Sequence, residues 1–538
     1  MSSNDKLVRE HGSREQWGGS IGFILSTAGA AIGLGNIWRF PYIAGENGGG
    51  AFVLIYLLCV LFIGLPLVIC ELSLGRFAQR DTVGGVAKIA PNPTLGTRLL
   101  GIILFLTGAL HLALAHIGLG LVFLLAAFCL FFLGWRSVGY MSVLTGASML
   151  TYYGTVGGWT IAYFLKGLFQ GLNFSTPEAA ETAFRQVADN PMIAVFFQVG
   201  FMTLCGLTVW FGVRNGIERV SKYLLPFLFL LLIVLIARSV SLPNAFAGIK
   251  FLLAPDFSKL SAGGALLAIG HAFFSLAVAQ GILTTYGSYL DPKKNILTSS
   301  LVIVILDTCV AIMAGLVVFP AVFSVGMEIN QGPKLVFQIM PIIFNSIGGS
   351  FGWFWSSSFF LLLLIAALTS GIALLEVAVC CLVDHFHMKR HAATFWATLA
   401  ITAVGVLCTI SLNDWTRLEV LRQCITRLFG GAYDSMFILA DNITGGYLLP
   451  ISGVGISLFV GWVWGTSEAI REIRRGAGAM FDVNIFALLA GLTGDPASQT
   501  RAHTFNLAVI WGIFVRFFVP IGIIILFLHS IGWINIGI

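Results

Sequence analysis

The sequence predicts an all-α polytopic membrane protein. Two observations carry that prediction. Hydrophobic residues make up 57% of the chain and charged residues only 10%, with a mean hydropathy of +0.92. No soluble globular chain of this size has such a balance. The apolar residues also fall in continuous runs of roughly 20 or more rather than in alternation, which selects helices over an outer-membrane barrel.

The runs lie near 19–43, 50–75, 141–171, 192–212, 218–242, 263–290, 296–325, 351–386, 392–412, 433–465 and 503–534, eleven in all. A further apolar stretch, 99–133, contains His111 and His116 near its middle. It reads as a two-helix hairpin, a re-entrant pair or an interfacial segment, and must cross an even number of times to keep the orientation of its neighbours. Residues 1–18 are polar, and no cleavable leader is expected before the first run. The basic residues set the orientation. With the N-terminus cytoplasmic, Arg14, Arg76, Arg80, Arg214, Arg219, Lys222, Lys293, Lys294, Lys389, Arg390, Arg471, Arg474 and Arg475 all fall inside, as the positive-inside rule requires. The net charge of +6 is thus a topology signal spread over loops, not a nucleic-acid surface. The nine cysteines form no CxxC pair and read as buried thiols.

The first run is not a simple anchor. SIGFILSTAGAAIGLGNIWRFPYIA carries Gly29, Gly33, Gly35, Asn36, Arg39 and Pro41 near its centre. Glycines weaken a helix, and an arginine within a span is costly. Freed carbonyls at membrane depth persist only where they line a cavity or bind something. A helix broken midway, with carbonyls offered to a cation, is therefore expected. The sixth run, GGALLAIGHAFFSLAVAQGILTTYGSYL, is interrupted between Ser275 and Gly281. Interruptions at corresponding positions of two halves point to a transporter binding site.

The stretches 14–52, ELSLGR (71–76), YYGTVGGW (152–159), GIERVSKYLLP (216–226), FFSLAVAQGILTTYGSY (273–289), LDT (306–308) and AALTSGIALLEV (366–377) resemble the neurotransmitter:sodium symporters, in their bacterial amino-acid branch. The likeness runs from about 14 to 532, apart from 96–135. It implies the LeuT-type five-plus-five inverted repeat, an architecture for which this family is itself a type example. The implied division is a cytoplasmic segment 1–18, a first repeat 19–242 carrying the insertion 96–135, a second repeat 263–465, and an additional helix 503–534.

The resemblance implies sodium-coupled import of a neutral amino acid through the inner membrane, with two Na+ sites. The first site would use the Ala31 carbonyl, Asn36, Ser275, Asp307 and the substrate carboxylate. The second would use the carbonyls of Gly29, Ile32 and Ala366 with the hydroxyls of Thr369 and Ser370. Hard cations prefer such oxygen cages. The substrate carboxylate would meet Gly33, Leu34 and Gly35 at a half-helix N-terminus, with Tyr153 donating to it. The pocket would also draw on Ala30, Ala31, Met149, Val156, Phe274, Ser275, Ala277, Gln280, Ser370 and Leu374. Arg39 with Asp441 would form the outer gate, and Arg14 with Asp384 the inner one, near Trp17, Ser288 and Tyr289. Asp307 stands where Asn is common and offers a fixed negative charge beside Glu71, so no chloride is needed. His271, Ala277, Gln280, Ala311 and Ile438 depart from the usual residues.

A sodium-independent or proton-coupled exchanger, and a non-transporting receptor on the same fold, are the alternatives. Gly33-Leu-Gly35 lacks the strand that a dinucleotide loop needs. Gly29 and Gly33 also fit a helix-packing motif, His385 and His387 a loop, and Asn173-Phe-Ser175 a chance sequon. No nucleotide loop, zinc-protease motif or nucleophile elbow occurs, so an enzyme is not expected. The expected partners are the amino acid and the lipid bilayer.

Overall fold

The computed structural model describes residues 14–113, 117–172, 174, 176–326, 335–348, 351–413, 419, 422–423, 425–426, 435–483 and 506–534. His116, the side chain of His111, and Asn173 and Ser175 lie outside the described residues.

The first run forms two helices, α1 (Ser20–Ala31) and α2 (Gly35–Glu46), bent by 47° at the break. Helix α2 opens with a π-helical turn, Gly35–Arg39. A π turn widens the backbone ring and is frequent at functional sites. Helix α3 (Gly50–Ala78) follows, then α4 (Thr82–Ile89), capped by the Asp81 carboxylate on the Val83 and Gly84 amides.

The stretch that the sequence left open is a helical hairpin, α5 (Leu95–Ala113) and α6 (Ile117–Leu133). Two glycines draw these helices together. A Cβ at Gly101 would lie 3.0 Å from the Ala127 carbonyl oxygen, and one at Gly108 would lie 2.9 Å from that of Gly120. Leu95, Leu99, Leu100, Ile102, Ile103, Phe105 and Leu106 of α5 are exposed, as suits a lipid-facing surface.

Helix α7 (Arg136–Gln170) packs along the most deeply buried span of the fold. After α8 (Pro177–Ala188) come α9 (Pro191–Trp210), α10 (Val213–Val240) and α11 (Ala245–Leu253). The sixth run is broken as expected, into α12 (Ala262–Ser275) and α13 (Ile282–Ser288). Between them Ala277, Ala279 and Gly281 have φ of 54°, 65° and 77°. Two alanines in the left-handed region mark a backbone held by its surroundings, because that region is disfavoured for any residue with a Cβ. Glu71 supplies one of the holds. Its carboxylate, fully buried on α3, accepts the Ala279 N–H at 2.5 Å.

Helices α14 (Ile296–Ser324), α15 (Met340–Gly348), α16 (Gly352–Asp384), α17 (Arg390–Asn413), α18 (Met436–Ala477) and α19 (Leu507–Ser530) complete the described chain. Among the described residues, all eleven expected runs contain helix. Among the described residues, eight helices are long and apolar enough to span alone, and the bent pair α1–α2 makes nine. The other two runs fall short for a physical reason. Helix α7 is diluted by Gly, Ser, Thr and Tyr residues that face the interior, and α12–α13 is divided by its unwound stretch. The sequestered helix α16, with α7 and the two broken spans, forms the centre of the bundle.

Candidate functional site

The two breaks face one another, and the polar groups at them are nearly all buried. On α2, the Asn36 side-chain amide donates to the Asp307 carboxylate at 2.8 Å, to the Asp307 carbonyl at 3.0 Å and to the Ser275 hydroxyl at 3.0 Å. Ser275 donates in turn to the other Asp307 oxygen at 2.7 Å. The Asn36 oxygen accepts the Gly33 N–H at 3.2 Å. Three of the expected first-site ligands are thus in direct contact, though they stand on α2, α12 and α14. Tyr56 adds a neighbour that the sequence did not single out, its hydroxyl 3.1 Å from that of Ser275. Rings of Tyr56 and Phe40 flank His271, whose two ring nitrogens are buried without a hydrogen-bond partner.

The residues expected at the second site lie where α1 meets α16. The Thr369 hydroxyl donates to the carbonyls of Ile365 and Ala366, each at 3.1 Å. That of Ser370 donates to the Ala30 carbonyl at 3.0 Å and reaches the Ile32 carbonyl at 3.5 Å. A Cβ at Gly29 would lie 3.5 Å from that of Thr369, so the Thr369 side chain packs close to the Gly29 backbone. The Ser370 hydroxyl thus meets carbonyls at the end of the broken helix, while the Thr369 hydroxyl beside it bonds back to its own helix. This donor set, oxygens with no soft ligand, fits an alkali cation.

Between the two clusters lies a cavity of about 20 Å3, lined by Ala30, Ala31, Gly33, Leu34, Gly35, Met149, Tyr153, Phe274, Ala277, Gln280, Ile282, Ser370 and Leu374. All but Ile282 are expected from the sequence. The Leu34 N–H donates to the Tyr153 hydroxyl at 3.2 Å. An amide and a hydroxyl meeting at a helix start form a place that favours an anion. Val156 lines a second cavity of about 50 Å3 directly adjoining, which Leu34, Tyr153 and Phe274 share.

That second cavity brings Arg39 and Asp441 into one space with Trp38, Tyr42, Tyr152 and Phe437. The Arg39 guanidinium stands over the Phe274 ring, 4.9 Å from its centroid, and its Nε makes no hydrogen bond. The two charges face one vestibule, and the ring of Phe274 separates Arg39 from the smaller cavity.

The opposite end is shut. Arg14 forms an ion pair with Asp384. It also donates to the Ser288 hydroxyl at 2.6 Å and lies over the Tyr289 ring at 4.7 Å. Trp17 donates its backbone N–H to the Tyr289 carbonyl at 3.2 Å and its indole N–H to the Tyr286 carbonyl at 3.0 Å. Asp384 further accepts the Asp81 N–H at 2.7 Å. Burial, and then the neighbouring Asp384 charge, push the Asp81 carboxyl up to about 6. Sequence reasoning missed Glu376, which accepts from Tyr289 at 2.7 Å and pairs with Arg390 at 2.7 Å. An acid inside an apolar run was the available signal.

Paired broken helices around a buried polar centre define a membrane transporter of the inverted-repeat class. The sequence profile of the Sodium:neurotransmitter symporter family matches residues 14–129 and 185–423. The chain belongs to that family. The match reaches into 96–135, a segment expected to fall outside the likeness, and omits 130–184. The chain is 34% identical to the sodium-dependent transporter YhdH of Bacillus subtilis, over 96% of this chain and 98% of that one. It is 30% identical to a sodium-dependent transporter of Haemophilus influenzae, over 99% and 100% of the two chains. Among solved structures, that of MhsT in complex with L-phenylalanine matches with a TM-score of 0.75 and 34% identity, covering 96% of this chain and all 100% of that one.

Proposed function

We propose that the chain carries a neutral amino acid into the cell together with sodium, by alternating access in the inner membrane. The N-terminus is cytoplasmic, so Arg14 and Asp384 form the inner gate and Arg39 and Asp441 the outer. The repeats are 19–242 and 263–465, with 503–534 an added helix.

The observation that carries this reading is the convergence of oxygen donors on the two breaks. Asn36, Ser275 and Asp307 meet at one. At the other, the Ser370 hydroxyl meets the Ala30 and Ile32 carbonyls, and Thr369 packs beside Gly29 of α1. The names of the relatives, sodium-dependent transporters, and the amino acid bound to MhsT support it. Sodium at the first site would take the substrate carboxylate into its shell, so each ligand raises the other's affinity by the same factor. A sodium-independent exchanger or a receptor would have no need of an oxygen cage at each break.

The test is uptake of labelled amino acids into proteoliposomes holding the full chain. Accumulation driven by an inward sodium gradient, and absent with potassium alone, is the expected result. Equal uptake in the two media would overturn the reading.

A further inference from the structure

Within the small central cavity one donor has nothing to bind. Gln280 is 2% exposed, and its side-chain nitrogen Nε2 is buried without a hydrogen-bond partner. The other polar side chains lining that space are engaged, Ser370 with the Ala30 carbonyl and Tyr153 with the Leu34 amide. The remaining wall, from Met149, Phe274, Ile282 and Leu374, is apolar.

The position of Gln280 is fixed by its backbone. Ala279 on one side and Gly281 on the other have positive φ, and the Ala279 N–H is held by Glu71. The Gln280 carbonyl is pressed on α7 at Gly146, where a Cβ would come within 2.7 Å of it. The peptide on either side therefore has little freedom to turn the amide elsewhere. A buried primary amide left unpaired is costly, and a site built with one discriminates against ligands that cannot satisfy it.

Resting on the transport reading above, we propose that Gln280 selects the substrate. It favours a neutral amino acid whose side chain carries a hydrogen-bond acceptor, a hydroxyl or amide oxygen, received by Nε2. An acidic side chain also offers acceptors. It would bring a charge into a cavity whose lining residues include no cation, since Arg39 lies across the Phe274 ring. Purely aliphatic side chains would bury the amide unpaired.

The experiment compares near-isosteric pairs as competitors of sodium-driven uptake by the full chain in proteoliposomes: threonine with valine, glutamine with methionine, and tyrosine with phenylalanine. In the pair that competes best, the polar member is expected to be at least roughly tenfold the stronger. Gln280→Leu should remove or reverse that preference. Gln280→Met, closer in shape, guards against a packing defect, and retained protection against heat by sodium would report an intact fold. Equal or better competition by the apolar members in the wild-type chain would overturn the proposal. So would an unchanged preference in both variants. Sodium-dependent uptake or binding of no amino acid at all would instead refute the transport reading, and this assignment with it.

Discussion

The side-chain amide of Asn36 lies 2.8 Å from a carboxylate oxygen of Asp307, tying the broken first span to an intact helix of the other half of the chain. The contact places a formal negative charge within the candidate first cation site. It also explains why Asp307, fully buried, is tolerated there: Asn36 and Ser275 both donate to it. A charge buried without such partners costs several kcal/mol.

Chloride should therefore be dispensable. Uptake is expected to be unchanged when gluconate replaces chloride. Asp307→Asn should create a chloride requirement or lower the apparent sodium affinity at least tenfold, measured as uptake against sodium concentration. Wild-type uptake that collapses without chloride would contradict this.

The second cage gives a separable prediction. Thr369→Val with Ser370→Ala removes two hydroxyls that touch helical carbonyls. Expression should persist, since valine and alanine fit the same space. Sodium binding, followed by the sodium-induced rise in melting temperature, should weaken by roughly 1–3 kcal/mol, the scale of lost hydrogen-bonding partners. A full sodium response in the double variant would exclude this site.

Gly33 tests the substrate cradle. A Cβ there would lie 2.5 Å from the Ser370 hydroxyl oxygen and 3.0 Å from the Tyr153 hydroxyl. Gly33→Ala is expected to abolish amino-acid binding while leaving the protein monodisperse and folded. Direct binding of labelled substrate in sodium is the measurement, and near-normal affinity would count against the cradle.

The two gates should respond differently. Arg14→Ala leaves Asp384 with the Asp81 amide as a remaining donor, so the chain should survive but favour the open inner gate. Labelling of cysteines introduced along the inner pathway should rise. Arg39→Ala should abolish transport, because Asp441 would face a closing vestibule with its counter-charge gone, at about 3–5 kcal/mol. Unchanged labelling in the Arg14 variant would reduce that residue to a topology anchor.

The proposed inner gate should respond to pH through Asp81. In the shut gate its carboxyl is held at about 6, against an ordinary 3.8, by burial first and then by Asp384. His385, Cys381 and Tyr140 also face this cluster, and Arg14 pairs with Asp384. In an open, hydrated gate the carboxyl returns toward its ordinary value. The shut state thus binds more protons between these two values. Acid favours closure, and that added stability is lost as pH rises through about 6. Inner-pathway labelling should fall as the pH is lowered from 7 to 5. Asp81→Asn, which keeps a capping side chain, should flatten the response, and an equal response in that variant would assign it elsewhere.

Much of this protein was legible in its sequence. Helical runs, the break at Gly29–Arg39 and the interruption after Ser275 follow from local chemistry, since glycines and buried polar residues disfavour an unbroken span wherever they stand. The cavity-lining residues were legible through motifs, which bind type to spacing. What the sequence could not supply were relations between distant segments. Whether 99–133 forms a hairpin depended on glycines 101 and 108 meeting the opposite backbone. The pairing of Glu376 with Arg390 and Tyr289, the engagement of Glu71 with Ala279, and the unpaired nitrogen of Gln280 were all decided by packing. A residue's own type sets which bonds it is able to make, but only its neighbours in space, brought from other helices, determine which of them are made.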